Sequence, residues 1–240
     1  MSASVTAISP RVARWPIIEI FGPVIQGEGA MLGHQTHFVR FGGCDYACVW
    51  CDTPYAVDPA LVRANSVKLG ADAIVARLQE LNAATPWVTL SGGNPALHVL
   101  DELVEALHAA GFLVAVETQG SRYRPWLTGV DLVTISPKPP SSEMTTDWTQ
   151  LARFQSLPGA SMKVVVFDDA DFAYAREVHR RYPNLPLYLQ VGNTVGEDTT
   201  ETLLAKLDWL ACRALADPEL NAAIVLPQLH VLLYGNRRGV

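Results

Sequence analysis

Apolar positions along the chain follow two rhythms that take turns. Short runs that are apolar throughout, or that alternate with period two, read as strands. Longer stretches with apolar residues three and four apart read as amphipathic helices. Ile17-Ile18-Glu19-Ile20-Phe21 is the first short strand, running into Gly22-Pro23 and then a loop at Gln26-Gly27-Glu28-Gly29. Thr36-His37-Phe38-Val39-Arg40-Phe41 alternates and is stopped by Gly42-Gly43. Ile74, Val75, Leu78 and Leu81 share one face of a helix over 71–83. Trp87-Val88-Thr89-Leu90 is a buried strand that ends in Ser91-Gly92-Gly93-Asn94-Pro95. Leu97, Leu100, Leu103, Val104 and Leu107 mark the next helix, closed by Gly111.

The alternation continues to the end. Strands are predicted at 112–116, ending in Glu117-Thr118, and at 132–135, ending in Ser136-Pro137-Lys138. Others follow at 162–167, at 187–189 before Gln190, and at 223–226. A helix starts at Asp168-Asp169 and is lined by Tyr174, Ala175, Val178 and Tyr182. A long helix spans 199–215, and a short one ends the chain. The segment 139–160, with Pro139-Pro140-Ser141-Ser142, is a long loop or insertion. Residues 1–14 are expected to be a flexible N-terminal extension, and 15–240 one domain. Strands alternating with helices predict a mainly parallel α/β sheet with too few full helices for an eight-fold barrel. The polar and glycine-rich clusters fall just after strand ends, where parallel α/β folds place their active sites.

Composition narrows the function classes. Charged residues make up 18% of the chain and hydrophobic ones 49%. That charge fraction is below the roughly 25% of ordinary soluble domains, so much of the chain is buried and wholesale disorder is excluded. Acidic residues outnumber basic ones by 24 to 18, for a net charge of −6. Such a balance argues against gripping a nucleic-acid backbone, which needs clustered Lys and Arg. No apolar run reaches the roughly 18 residues of a membrane span, and no secretory signal is visible. The expected compartment is the cytoplasm.

Cysteine usage brings in chemistry. Cys44, Cys48 and Cys51 fall in one short loop as C-x3-C-x2-C, while Cys212 stands apart in an apolar helical pattern and reads as a buried, inert thiol. A disulfide framework belongs to short secreted chains, so the cluster reads as metal-binding or redox-active. Three thiolates this close suit three irons of a four-iron cubane, with the fourth iron open to a small ligand. A structural zinc site wants a fourth ligand, for which His34 and His37 are the nearest candidates. A thioredoxin-type pair would use Cys48 and Cys51 and leave Cys44 idle.

The cysteine spacing, with Trp50 before the third cysteine, resembles the signature of the radical S-adenosylmethionine (SAM) superfamily. Ser91-Gly92-Gly93-Asn94-Pro95 resembles that superfamily's glycine-rich SAM loop, with Asn94 where Glu is usual. Further segments are similar to one family within it, the 7-carboxy-7-deazaguanine synthases. These are Gln26-Gly27-Glu28-Gly29, Phe38 to Cys44, Cys51-Asp52-Thr53-Pro54-Tyr55 and Glu117-Thr118-Gln119-Gly120. Ser136-Pro137-Lys138, Leu189-Gln190-Val191-Gly192-Asn193 and Pro227-Gln228-Leu229-His230 also match. The resemblance implies a modified, incomplete (β/α) barrel of about six parallel strands with helices outside, assembled as a homodimer. It implies a lyase of queuosine biosynthesis that turns 6-carboxy-5,6,7,8-tetrahydropterin into 7-carboxy-7-deazaguanine and ammonia. A SAM-derived radical starts the ring contraction, and no protein side chain need be catalytic.

The resemblance also implies residue roles. A [4Fe-4S] cluster would sit on Cys44, Cys48 and Cys51, and Mg2+ on Thr53. SAM would meet Trp50, Cys51, Asp52, Gly93, Glu117, Ser136, Pro137, Lys138, Gln190, Val191, Gly192 and Asn193. The substrate would meet Ile25, Gln26, Gly27, Glu28, Arg40, Ser91 and Val240. Arg40 suits a carboxylate because its fork donates two parallel N–H bonds. A hydroxyl at Thr53 suits an ion that takes most of its oxygens from substrate and water, although a Thr beside Pro54 is otherwise a turn residue. A flavodoxin is the implied electron donor. Two other readings have the same cysteine spacing: an enzyme that installs a glycyl radical on a partner protein, and a non-catalytic iron–sulfur sensor. The first lacks a Gln-Gly-Glu-Gly loop and a Cys-Asp-Thr pairing of this kind, and the second has no need of Gly92-Gly93, Glu117 and Lys138 at successive strand ends.

Overall fold

The computed structural model describes residues 13–240, so the expected N-terminal extension lies almost wholly outside the described residues. The strands are β1 (Trp15–Ile25), β2 (Gln35–Phe41), β3 (Val67–Leu69), β4 (Trp87–Gly92), β5 (Leu113–Thr118), β6 (Leu132–Ile135), β7 (Ala160–Val166), β8 (Leu187–Val191) and β9 (Ile224–Leu226). They form one nine-stranded sheet in the order β3-β1-β2-β4-β5-β6-β7-β8-β9. From β2 onward every neighbour pair is parallel, while β1 runs antiparallel to both β2 and β3. The sheet is open, as an incomplete barrel requires, with β3 and β9 at its edges.

The helices are α1 (Pro59–Asn65), α2 (Ala71–Asn82), α3 (Asp101–Ala109), α4 (Trp148–Ala152), α5 (Asp169–Arg181), α6 (Thr200–Leu215) and α7 (Leu229–Tyr234). Ile74 and Leu78 of α2, Leu103 and Leu107 of α3, and Ala175 and Val178 of α5 are completely buried with Val88, Leu90, Val114 and Val164 of the sheet. Each buried aliphatic side chain of leucine size contributes about 1.5–3 kcal/mol. This packing fixes one sheet face and leaves the carboxyl ends of β2 and β4 to β9 free to build a site.

Several boundaries differ from the sequence expectation, each for a local reason. β1 does not stop at Gly22-Pro23. A register shift between Phe21 and Val24 absorbs that dipeptide, and pairing with β2 resumes as far as Ile25. The helix expected from Leu97 begins at Asp101. Asn94 caps a separate 3-10 turn over Pro95–Leu97, its side chain accepting from the Ala96 amide. Helix α3 does end as expected, with Gly111 just beyond it at φ 87°. The 139–160 segment is not an unstructured loop. Asp147 caps α4 within it, and β7 already begins at Ala160. No helix among the described residues is long and apolar enough to cross a membrane.

Candidate active site

A cleft opens at the carboxyl ends of the parallel strands. Its empty space, counted out to open solvent, is about 1330 Å3. All three clustered cysteines line it, together with Arg40, Thr53, Ser91, Glu117, Ser136 and Lys138. Register explains part of the assembly. Arg40 of β2 lies opposite Ser91 of β4, and Phe41 opposite Gly92, so the cysteine loop and the glycine loop leave the sheet side by side. The Asn94 amide donates to the Gly43 carbonyl at 2.8 Å, and the Gly93 amide to the Phe41 carbonyl at 3.0 Å. This contact demands glycine. A β-carbon at Gly93 would lie 2.0 Å from the Gly43 oxygen, and one at Gly92 would lie 2.2 Å from the Phe41 oxygen. The glycines thus serve the packing of one loop on the other as well as any ligand.

Cys44, Cys48 and Cys51 are free thiols, each partly exposed on the cleft wall. Burial pushes the Cys44 and Cys48 thiols up, and a bound metal centre would draw them to thiolates. Soft thiolates on an open wall fit an iron–sulfur cluster. Among the described residues no three His, Cys, Asp or Glu side chains converge on a single-ion position. The cysteine loop is held by the 139–147 segment. The Val49 amide donates to the Ser142 carbonyl at 3.3 Å, the Tyr46 hydroxyl to the Thr145 carbonyl at 2.9 Å, and Trp50 Nε1 to Ser141 Oγ at 3.0 Å. Thr53 precedes the 3-10 turn over Pro54–Ala56, but its side chain does not cap it. Its hydroxyl lies 3.8 Å from Cys51 Sγ, so an oxygen donor remains for a hard cation.

Opposite the cysteines lies a buried charge cluster. Lys163 of β7 is ion-paired with Glu28, and its Nζ is 4.0 Å from Glu117 Oε1. Gln228 Nε2 donates to Glu28 Oε1 at 2.8 Å, and Gln26 Nε2 to Glu117 Oε1 at 3.1 Å. Burial alone would raise Glu28, but Lys163 and His230 outweigh it and hold the carboxyl well below its usual range. Burial dominates at Glu117, which is pushed up despite Lys163. Burial would lower Lys163, yet its two carboxylates raise it. The cluster therefore presents one firmly ionised acceptor and one that protonates more easily.

Arg40 stands at the edge of this cluster. Its Nε donates to Glu19 Oε1 at 2.6 Å, which leaves the two terminal nitrogens for a ligand. Glu19 also accepts from Arg238 Nε at 2.6 Å and from the Tyr55 hydroxyl at 3.4 Å, tying the last residues of the chain to the same wall as Val240. On the other side Lys138 Nζ donates to Ser136 Oγ at 3.3 Å and sits 5.4 Å from the centre of the Trp50 ring. Phe21, Phe38 and Phe167 supply the apolar wall.

Most residues singled out in the sequence line this one cleft, including Ile25, Gln26, Gly27, Asp52, Gly93, Asn193 and Val240. Pro137, Gln190, Val191 and Gly192 do not line it; all four are buried behind it. Gly192 packs on the Phe167 ring, which a β-carbon would meet at 2.5 Å. Cys212 is exposed, not the buried thiol that its apolar neighbours predict. Lys163, Gln228, His230 and Gln119 belong to the site without having been assigned to it. Lys163 had a signal: a lysine in the otherwise apolar Met162-Lys163-Val164-Val165-Val166 needs a charged partner if the strand is buried.

No family model matches the chain. Two proteins named 7-carboxy-7-deazaguanine synthase are similar to it. That of Bacillus cereus is 46% identical over 95% of this chain and 100% of its own length. That of Bacillus subtilis is 45% identical over 94% of this chain and 98% of its own. Among solved structures, QueE from Escherichia coli superimposes with a TM-score of 0.67 and 22% identity, covering 90% of this chain and 95% of that one. That likeness carries the fold.

Proposed function

The chain belongs to the 7-carboxy-7-deazaguanine synthase family, a radical SAM lyase family, and from that premise we propose how its cleft works. The reaction is conversion of 6-carboxy-5,6,7,8-tetrahydropterin to 7-carboxy-7-deazaguanine with release of ammonia. Cys44, Cys48 and Cys51 would hold a [4Fe-4S] cluster, Thr53 a magnesium ion, and Trp50, Ser136 and Lys138 the SAM molecule. Bound together, cluster and SAM would supply a 5′-deoxyadenosyl radical as the means of removing one substrate hydrogen.

The protein's own part is positioning. Arg40, with Nε fixed by Glu19, offers its two remaining nitrogens to the substrate carboxylate. Glu28, kept ionised by Lys163, accepts N–H bonds from the guanine-like edge. Gln26 completes that edge of the pocket and is bonded to Glu117, which accepts from the SAM amino group or ribose. Lys138 pairs with the SAM carboxylate, and its neighbour Ser136 adds a hydroxyl. The parallel Phe21 and Phe38 rings, 5.1 Å apart, help keep water from a reactive intermediate. Such a radical is indiscriminate, so fixed geometry has to choose the hydrogen.

The observation that carries this reading is the meeting, in one cleft, of three free thiols with Arg40 and the Glu28–Lys163–Glu117 cluster. A homodimer, a flavodoxin-type electron donor and a cytoplasmic location belong to the same reading and rest on the family resemblance. The test is anaerobic reconstitution with iron and sulfide, then incubation with SAM, Mg2+, dithionite and 6-carboxytetrahydropterin. Formation of 7-carboxy-7-deazaguanine is expected. Pterin-independent SAM cleavage with no deazapurine product would refute it.

A further inference from the structure

Behind the cysteine loop lies a chain of side-chain hydrogen bonds that ends on a cluster cysteine. Asn94 is fully buried at the end of the glycine loop. Its Oδ1 accepts from the Ala96 amide at 3.1 Å and from the Thr118 hydroxyl at 2.9 Å. The amide is a donor only, so it settles which end of the Asn94 carboxamide is oxygen. Asn94 Nδ2 then donates to Asp45 Oδ1 at 3.0 Å and to Ser121 Oγ at 3.1 Å. Gln119 Nε2 donates to the same Asp45 oxygen at 2.7 Å and reaches Cys44 Sγ at 3.5 Å. An ionised Asp45 is an acceptor only, so it fixes the nitrogen end of Gln119 toward both Asp45 and the sulfur. Arg122 Nε holds the second Asp45 oxygen at 3.3 Å.

We propose that Gln119 is a positioning residue for the iron–sulfur cluster, whose side-chain amide donates an N–H···S hydrogen bond to Cys44 and raises the cluster's reduction potential. Asp45 and Asn94 set its orientation. The proposal rests on the cluster assignment made above. Reduction adds negative charge to the cluster and its thiolates, so a donor at sulfur favours the reduced state, while a nearby carboxylate opposes it. Cys44 receives a second such bond, from the Tyr46 amide at 3.4 Å. The departure from the usual Glu at position 94 acquires a reason here. A carboxylate at 94 would face the Asp45 carboxylate, whereas the Asn94 amide donates to it.

The experiment is a potentiometric titration of the reconstituted protein, followed by the electron paramagnetic resonance signal of the reduced cluster. Gln119→Leu should fall about tenfold in reduced-to-oxidised ratio at fixed potential, a negative shift of about 59 mV for one electron. Asp45→Asn removes the opposing charge and keeps an acceptor for Gln119, so its potential should move the other way. The reduced wild-type cluster should also couple to an exchangeable proton that Gln119→Leu lacks. An unchanged potential in iron-replete Gln119→Leu overturns the proposal alone. If that variant loads no cluster, Asp45→Asn decides, and a zero or negative shift there overturns it. A wild-type chain that binds no iron overturns the cluster reading itself and the proposal with it.

Discussion

Lys163 sits mid-strand with its ammonium held by two carboxylates, an arrangement that is expensive to break and simple to test. Lys163→Met fits an apolar strand but leaves Glu28 and Glu117 facing each other without a cation. Removing one partner of such a buried set costs about 3–5 kcal/mol, and the expected loss is read from denaturant unfolding at neutral pH. The pH dependence follows from the shifts. Glu28 is held below its ordinary 4.5, so its contribution is present above that value and fades as pH falls below it. Lys163 is held above its ordinary 10.5, so its contribution is present below that value and is lost as pH rises through the folded one. Glu117 is raised and works against both as pH climbs past its ordinary 4.5. Glu28→Gln should therefore flatten the acid limb of the stability profile and weaken the alkaline limb, which Glu117 alone then sustains. Beside this cluster, Arg40→Lys loses the fork that Glu19 orients. Substrate binding should weaken by about 1.5–3 kcal/mol, with SAM affinity near normal by calorimetry. An equal loss for SAM would place Arg40 elsewhere. Thr53 gives a third outcome: since its hydroxyl caps nothing, Thr53→Ala should accumulate 5′-deoxyadenosine without matching product. Normal coupling and magnesium dependence would make it a turn residue only.

At the scale of elements, the 139–147 segment is a strap across the cysteine loop. Ser142 is fully buried, its hydroxyl donating to the Pro139 carbonyl at 2.6 Å and accepting from the Met144 amide at 3.1 Å. Ser142→Ala leaves the Met144 amide unpaired at a cost of about 1–3 kcal/mol, while the Pro139 carbonyl keeps the Ser142 amide at 3.0 Å. Faster hydrogen exchange confined to residues 44–51 and 139–147 is the expected signature; exchange rising evenly over the fold would argue against a strap. Whether such elements are legible in the sequence depends on where their side chains go. β4, β5 and β7 are mostly buried on both faces, and mainly apolar runs announce them. α1 has no buried residue, and β3 has two exposed positions and one half-buried, so neither leaves a periodic trace. Only Asp58 before Pro59 marks α1, as a cap that accepts from the Ala60 and Leu61 amides. α4 is hidden for another reason. At five residues it is shorter than two helical turns, and periodicity needs at least that much. The strand ends, and with them Arg40, Ser91, Glu117 and Ser136, were legible because glycines and prolines punctuate them. Lys163 was not, because it lies inside a strand whose apolar neighbours define it.

At the scale of the molecule, the sheet is open but the cleft is not. The loop after β1 and the segment after β9 belong to opposite flanks of the sheet, yet they meet. The Leu229 amide donates to the Gly27 carbonyl at 3.1 Å, Gln228 reaches Glu28 at 2.8 Å, and the His230 ring packs on Gly27. Side-chain and loop contacts thus bridge a gap that no strand pairing closes. The clasp tolerates only glycine at position 27, where a β-carbon would lie 2.2 Å from His230 Nδ1 and 2.6 Å from its backbone nitrogen. Gly27→Ala should push the two segments apart while the helix-covered core, which lies on the far side of the sheet, stays intact. A ligand at a hundred times its dissociation constant adds about 2.7 kcal/mol, or about 5–10 °C of melting temperature for a chain of this length. In the proposed site SAM is held by Ser136 and Lys138, which take no part in the clasp, so its stabilisation should survive in Gly27→Ala. In the same proposal the substrate depends on Glu28 and Gln26, which flank the displaced residue, so its stabilisation should vanish at the same concentration. Thermal melts of both proteins with each ligand separate these outcomes. Equal retention of both shifts would mean that the clasp is a feature of the fold and not of substrate recognition.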